Sequence, residues 1–163
     1  MVIVSIETMV ICMDGRSNSK MLYFLKISRD YYERLIEEKA IECGISKQEA
    51  DLLLFFSNNL EFDRACDAVN YRGFSKAYVS KALSLLSKRG FIEVCYDEFD
   101  KRYQRIVILD SANEIINELK DVQSRFYQCL HKGISKKEFE TYLSVVDKIA
   151  QNVVNDMRGW YCV

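Results

Sequence analysis

Not one of the 163 residues is proline. At ordinary usage of about 5%, a chain of this length carries roughly eight. Proline removes a backbone donor and clashes with the preceding helical turn, so its absence leaves helices free to run uninterrupted. It also excludes proline-rich linkers and polyproline segments. With 49% apolar and 29% charged residues, the composition is that of one globular domain able to bury a core. A mainly helical protein is the first expectation.

Punctuation residues then divide the chain. Residues 21–43 read as a helix with Glu33, Glu37 and Glu38 on its polar face and Leu25, Tyr32, Leu35 and Ile36 in an apolar stripe. Gly44 ends it, since glycine accepts the left-handed conformation just past a helix. Ser46 and Glu49 have the spacing of a capping box, in which each side chain satisfies the other's free backbone donor. That box opens a helix through Leu52, Leu53, Phe55 and Phe56, stopping near Asn58 and Asn59. A short helix over about 62–70 and a tight turn over 71–74 follow. Ser75 caps a further helix that runs to Arg89 and ends at Gly90.

The period then changes from helical to alternating. Residues 91–96 and 104–109 are β-rich, and the charged run between them predicts a hairpin with a charged tip. Asp110 and Ser111 cap a long helix to about His131, and Gly133 breaks it. Ser135 and Glu138 repeat the capping-box spacing at the head of a last helix, to about Asp156. The fold class expected is mainly α (α+β): a winged helix-turn-helix with a two-stranded wing, flanked by helices on both sides. The flanking helices have no partner inside so small a unit. Their apolar stripes are expected to bury against each other and against a second copy of the chain.

Net charge is −1, but it is unevenly spread. Between residues 72 and 105 eight lysines and arginines face four acids, which leaves the rest of the chain distinctly acidic. One basic stripe on an acidic body is the asymmetry of a localised polyanion site. Residues 75–89 contain Lys76, Lys81, Lys88 and Arg89 and no acid. On a helical wheel Val79, Ala82, Leu83 and Leu86 share the inward face. Ala77, Ser80, Lys81, Ser84 and Lys88 lie opposite, short and basic, able to approach a groove floor and reach base edges or phosphates. Tyr78 falls to one side, where its hydroxyl is expected to meet a phosphate.

Little else points to chemistry. The six cysteines (12, 43, 66, 95, 129 and 162) form no Cys-x-x-Cys pair, and the lone His131 cannot complete a usual zinc site. They read as buried small hydrophobes in a reducing cytosol. The apolar first thirteen residues carry Glu7 and lack a basic start, so neither a secretory signal nor a membrane span is expected. No glycine-rich phosphate loop, histidine-activated nucleophile or paired carboxylates in an apolar setting appear, so no catalytic residue, metal or cofactor is assigned.

Five stretches together resemble the multiple-antibiotic-resistance-regulator (MarR) family of winged-helix transcription factors. They are Gly44-Ile45-Ser46-Lys47-Gln48-Glu49, Ser75-Lys76-Ala77-Tyr78-Val79-Ser80, the run from Leu86 to Ile92, Asp97-x-x-Asp100-x-Arg102, and Gly133-Ile134-Ser135-Lys136-Lys137-Glu138. The resemblance extends over about residues 22–154. It implies a homodimer held by the first and last helices, bound to a roughly palindromic double-stranded DNA operator and usually repressing transcription. Ser75, Lys76, Ala77, Ser80 and Lys81 are then groove and phosphate contacts, and Arg102 is the minor-groove residue with Asp100 its orienting partner. Arg72, Tyr78, Ser84, Lys88 and the tip residue Lys101 complete the candidate DNA-contacting set.

The organisation expected is an arm over residues 1–20, helical dimerisation regions over 21–45 and 111–158, and a DNA-binding lobe over 46–110. The resemblance also implies a small aromatic effector, for which Tyr31, Tyr32 and Phe56 are candidate lining residues. Redox control through Cys43 or Cys12 is an alternative, as is a winged helix that binds a protein partner and no DNA. The chain departs from the family at Asp110-Ser111-Ala112-Asn113, where Thr-x-x-Gly is common, and in residues 1–19. It also lacks the residue patterns of the peroxide- and zinc-sensing branches.

Overall fold

The computed structural model describes residues 15–96 and 104–158. In chain order these form helices α1 (Gly15–Glu42), α2 (Lys47–Asn58), α3 (Ala65–Arg72) and α4 (Lys76–Lys88), strands β1 (Ile92–Tyr96) and β2 (Gln104–Ile108), a 3-10 turn (Asp110–Ala112), and helices α5 (Asn113–His131) and α6 (Lys136–Arg158). Two compact units divide the chain after Ser124.

The first unit is organised around α2. Every residue from Glu49 to Phe56 is buried, so this helix is enclosed on all sides and acts as the core's axis. Around it pack Ile36 and Ala40 of α1, Ala68 of α3, Val79, Ala82 and Leu86 of α4, Ile92 and Ile106 of the strands, and Ile116, Leu119 and Val122 of α5. The strands pair antiparallel, with Ile92 opposite Ile108 and Tyr96 opposite Gln104. Ile106 lies on the face that joins the core and Val107 on the face left exposed, the alternation of a wing laid on its helices. The helix-turn-helix of α3 and α4 therefore leads directly into a two-stranded wing.

Gly73 and Gly90 bracket α4 with φ of +69° and +71°, a region that costs a side-chain-bearing residue roughly 1–2 kcal/mol. After Gly90 the chain closes a Schellman motif: its N–H donates to the Ser87 carbonyl at 3.0 Å and that of Phe91 to the Leu86 carbonyl at 3.0 Å. These turns set where α4 begins and ends.

In the second unit, Ser135 accepts from the Glu138 N–H while Glu138 Oε2 accepts from the Ser135 N–H at 2.9 Å, the expected capping box. Those serine bonds hold the Glu138 carboxyl below its usual pKa. On α6, Tyr142, Leu143, Val145, Val146, Ile149, Val153, Val154 and Met157 are all exposed. In the first unit, α1 is likewise apolar and exposed from Met21 to Leu25.

Three local expectations are corrected. α1 begins at Gly15 rather than near residue 21, because the polar residues 16–20 carry no apolar period to signal it. α3 begins three residues late, at Ala65. Phe62 turns back to stack on Tyr71 (ring centroids 4.2 Å apart), and Asp67 Oδ2 accepts from the Arg64 N–H at 3.0 Å. Ser111 does not cap α5; its hydroxyl donates to the Gly90 carbonyl at 2.5 Å, tying the wing's exit to the end of α4. The cysteines also differ from expectation. Cys66 and Cys129 are exposed and Cys43 and Cys95 partly so, because on α3, for example, Asp67 and Ala68 occupy the inward positions.

Candidate nucleic-acid interface

Helix α4 begins as its sequence dictates. Ser75 has extended backbone, and its hydroxyl accepts from the Tyr78 N–H at 3.2 Å, freeing the first turn to project outward. Val79, Ala82 and Leu86 are buried, whereas Ser75, Lys76, Ala77, Ser80, Lys81, Ser84 and Lys88 are all exposed. The wheel's division of this helix is thus the division in space. Arg72, at the end of α3, is exposed and stands 5.7 Å over the Phe74 ring, which in turn stacks on Tyr78 at 5.0 Å. A cation resting on an aromatic face keeps its charge while losing less rotamer freedom on contact.

The eight cations of the basic stripe have different fates. Arg89 turns inward, its Nε 2.8 Å from Glu49 Oε1. Arg105 pairs with Asp63 at 3.6 Å, beside a cleft of about 300 Å³ whose other charged lining groups are Glu61, Arg64 and Asp67. Lys101 and Arg102, with Asp100, lie outside the described residues. Arg72, Lys76, Lys81 and Lys88 remain, and among the described residues none of them takes part in an ion pair. These four share one end of α3 and one face of α4, so the unpaired positive charge of this stripe, among the described residues, is concentrated on α4 and its entry.

Tyr78 is placed differently from expectation. Its hydroxyl donates to Asp51 Oδ2 at 2.6 Å, directed into the protein rather than toward a phosphate. Burial, then the bond to the Asp51 carboxylate, push this phenol well above its ordinary pKa. Lys47 also donates to Asp51 Oδ2, at 2.7 Å, and pairs with Glu33 of α1, so Glu33 is not the free outer-face acid the sequence suggests. Burial works against the Lys47 charge, but its bonds to Asp51 and Glu33 outweigh that and hold its pKa above the usual value.

The residues proposed for an effector do not share one environment. Phe56 is buried in the core, packed edge-on against Phe55 with centroids 5.0 Å apart. The Tyr32 hydroxyl accepts from Gln123 Nε2 at 2.6 Å, and Tyr31 is exposed. Cys43 donates toward Glu118 at 3.8 Å, and burial followed by that carboxylate raises its pKa. A thiol so placed is disfavoured as thiolate, the form that attacks a peroxide. Cys12 lies outside the described residues. Among the described residues no cluster of three histidines, cysteines or carboxylates could hold a metal ion, and no helix is long and apolar enough to cross a membrane.

No family model matches the chain. Solved structures do. A MarR-family transcriptional regulator from Listeria monocytogenes, complexed with 26mer DNA, superposes with a TM-score of 0.73 at 14% identity, covering 83% of this chain and 89% of that one. A MarR protein from Peptoclostridium difficile gives 0.71 at 19%, covering 88% and 94%. A MarR transcriptional regulator from Methanosarcina mazei gives 0.69 at 15%, covering 84% and 98%. At such identities the likeness speaks for the fold: the chain has the winged-helix fold of MarR-family regulators, with helices on both sides of the wing unit.

Proposed function

We propose that this chain is a sequence-specific, double-stranded DNA-binding transcriptional regulator that acts as a homodimer on a palindromic operator, in the manner of a repressor. The observation that carries this reading is the exposed face of α4. Ser75, Lys76, Ala77, Ser80, Lys81, Ser84 and Lys88 stand outward together, with no acid among them, on a helix anchored behind. Small residues let such a helix approach a groove floor, and the lysines neutralise phosphate. Arg72 adds a phosphate contact at the helix entry. Arg102 enters the minor groove, with Asp100 orienting it and Lys101 beside it on the backbone. Ser84 and Lys88 contact the flanking backbone, while Tyr78 acts through its hold on Asp51.

Residues 46–110 are the DNA-binding lobe and residues 21–45 and 111–158 the dimerisation region. The apolar side chains exposed on α1 and on α6 support dimerisation, because faces of this extent mark an interaction surface. Two recognition helices one turn of B-DNA apart place the half-sites about 10 base pairs apart, centre to centre. Release by a small aromatic ligand near Tyr31 and Tyr32 is the regulatory part of the reading.

Fluorescence anisotropy on the duplex upstream of the chain's own gene, against a scrambled duplex of equal composition, tests the proposal. Preference for the native duplex, lost when the half-sites are moved apart by five base pairs, is expected. Equal, weak binding to both, with no duplex enriched from a random pool, points instead to a winged helix serving a protein partner.

A further inference from the structure

Behind the recognition helix, charged groups from three helices meet. Asp51, in the middle of α2, is only 5% exposed, and its Oδ2 accepts from the Tyr78 hydroxyl of α4 and from Lys47 Nζ. Lys47 in turn pairs with Glu33 of α1. The chain Glu33–Lys47–Asp51–Tyr78 therefore runs unbroken from α1 to the first turn of α4. None of these groups is needed to cap a helix, and a buried carboxylate is costly unless its partners stay in place. Hydrophobic contact alone would let α4 slide along α2. A hydrogen-bonded carboxylate fixes one register, since hydrogen bonds weaken steeply with angle and distance.

Glu33 sits at a transition along α1. Residues 21–25 on its N-terminal side are exposed and apolar, whereas Ile36 and Ala40 on its C-terminal side are fully buried. Any partner that covers the exposed part of α1 acts on the helix within a few turns of Glu33. Displacing Glu33 leaves Lys47 held by Asp51 alone, through the same oxygen that accepts from Tyr78.

We propose that Asp51 is the positioning residue of the DNA-binding face, and that Glu33 and Lys47 make the seating of α4 depend on the position of α1. This deepens the DNA-binding reading and rests on it for its function, but the mechanical coupling is a property of the free protein. The test uses the full chain as wild type, Glu33→Gln, Tyr78→Phe, Asp51→Asn and the Asp51→Asn/Tyr78→Phe double variant. Amide hydrogen exchange over residues 76–84 is followed without DNA, and affinity is measured on the duplex best enriched from a random pool.

Glu33→Gln, on a different helix, is expected to speed exchange in residues 76–84. Tyr78→Phe is expected to weaken the enriched duplex about tenfold, the equivalent of one charge-assisted hydrogen bond, and to leave random duplex unchanged. The double variant then binds no worse than the weaker single, because both break the same link. Wild-type exchange in Glu33→Gln overturns the coupling, and independent, multiplying losses in the double variant overturn the role of Asp51. If Asp51→Asn does not fold, the Tyr78→Phe and Glu33→Gln arms decide alone. If wild type enriches no duplex, the DNA-binding reading fails, while the exchange arm still decides whether α1 and α4 are coupled.

Discussion

The guanidinium of Arg89, on the residue that closes α4, lies 2.8 Å from Glu49 Oε1, a carboxylate only 1% exposed at the start of α2. The other oxygen of Glu49 accepts from the Ser46 N–H at 2.8 Å and from its hydroxyl at 2.7 Å. One carboxylate thus caps α2 and holds the far end of α4. With Asp51 holding Tyr78, α4 is tied to α2 at both ends, so the inward contacts that orient its exposed face are polar as well as apolar.

Removing Arg89 leaves Glu49 buried without its cation. Arg89→Ala is expected to destabilise the fold by about 1–3 kcal/mol, at the lower end because the arginine is partly solvated. Glu49→Gln, which keeps a capping oxygen, is expected to recover part of that loss in the Arg89→Ala background. Urea unfolding of the four proteins measures both. Simple additivity of the two substitutions would contradict the pairing.

Tyr78→Phe tests the other tie through pH. A phenol whose pKa is raised in the folded state contributes stability that is fully present below its unfolded value of about 10 and is lost as pH rises through the folded value. The difference between wild type and Tyr78→Phe is expected to be about 1–2 kcal/mol at neutral pH, constant up to about pH 9.5, and to shrink above it. A difference that instead shrinks on acidification from pH 8 to 6 would assign the effect to another group.

If α6 helps to form the proposed dimer, a charged residue on its apolar face should break it. Val146→Asp and Leu143→Asp alter exposed positions, so each folded chain is expected to remain helical by circular dichroism while sedimenting as a monomer. Affinity for operator should fall at least about a hundredfold with the loss of the second half-site. Sedimentation unchanged from wild type in both variants would move the interface elsewhere.

Lys81 distinguishes base reading from phosphate contact. Lys81→Ala is expected to cost about 1–3 kcal/mol on the enriched duplex and much less on a random one if the amine reaches a base edge. Equal losses on both duplexes, with a salt slope shallower by about one, identify a phosphate contact.

Much of this architecture was legible in the sequence because it rests on local rules. Ser46 and Glu49, Ser75, and Ser135 and Glu138 cap the helices their spacing announces. The four inward residues of α4 are all buried or half-buried. What the sequence could not reveal is which polar side chains are shared between distant elements. Glu49 is recognisable as a capping glutamate, but its partner Arg89 lies forty positions away and reads only as one more cation of the basic stripe. Arg105 is diverted in the same way, by Asp63. Tyr78 sits at the edge of the wheel, and only packing determines that its hydroxyl faces Asp51. The start of α1 escaped notice for the opposite reason, since a polar first turn leaves no hydrophobic period.

The central claim is that the exposed face of α4 binds duplex DNA. Fluorescence anisotropy on the duplex best enriched from a random pool, titrated with salt, tests it most directly when wild type is compared with Lys76→Glu/Lys81→Glu. In the proposed dimer, Arg72, Lys76, Lys81 and Lys88 of each protomer predict a slope of log affinity against log salt of about −4 to −7, clear preference over a scrambled duplex, and loss of both in the double variant. Binding by the double variant with wild-type affinity and slope would contradict the account.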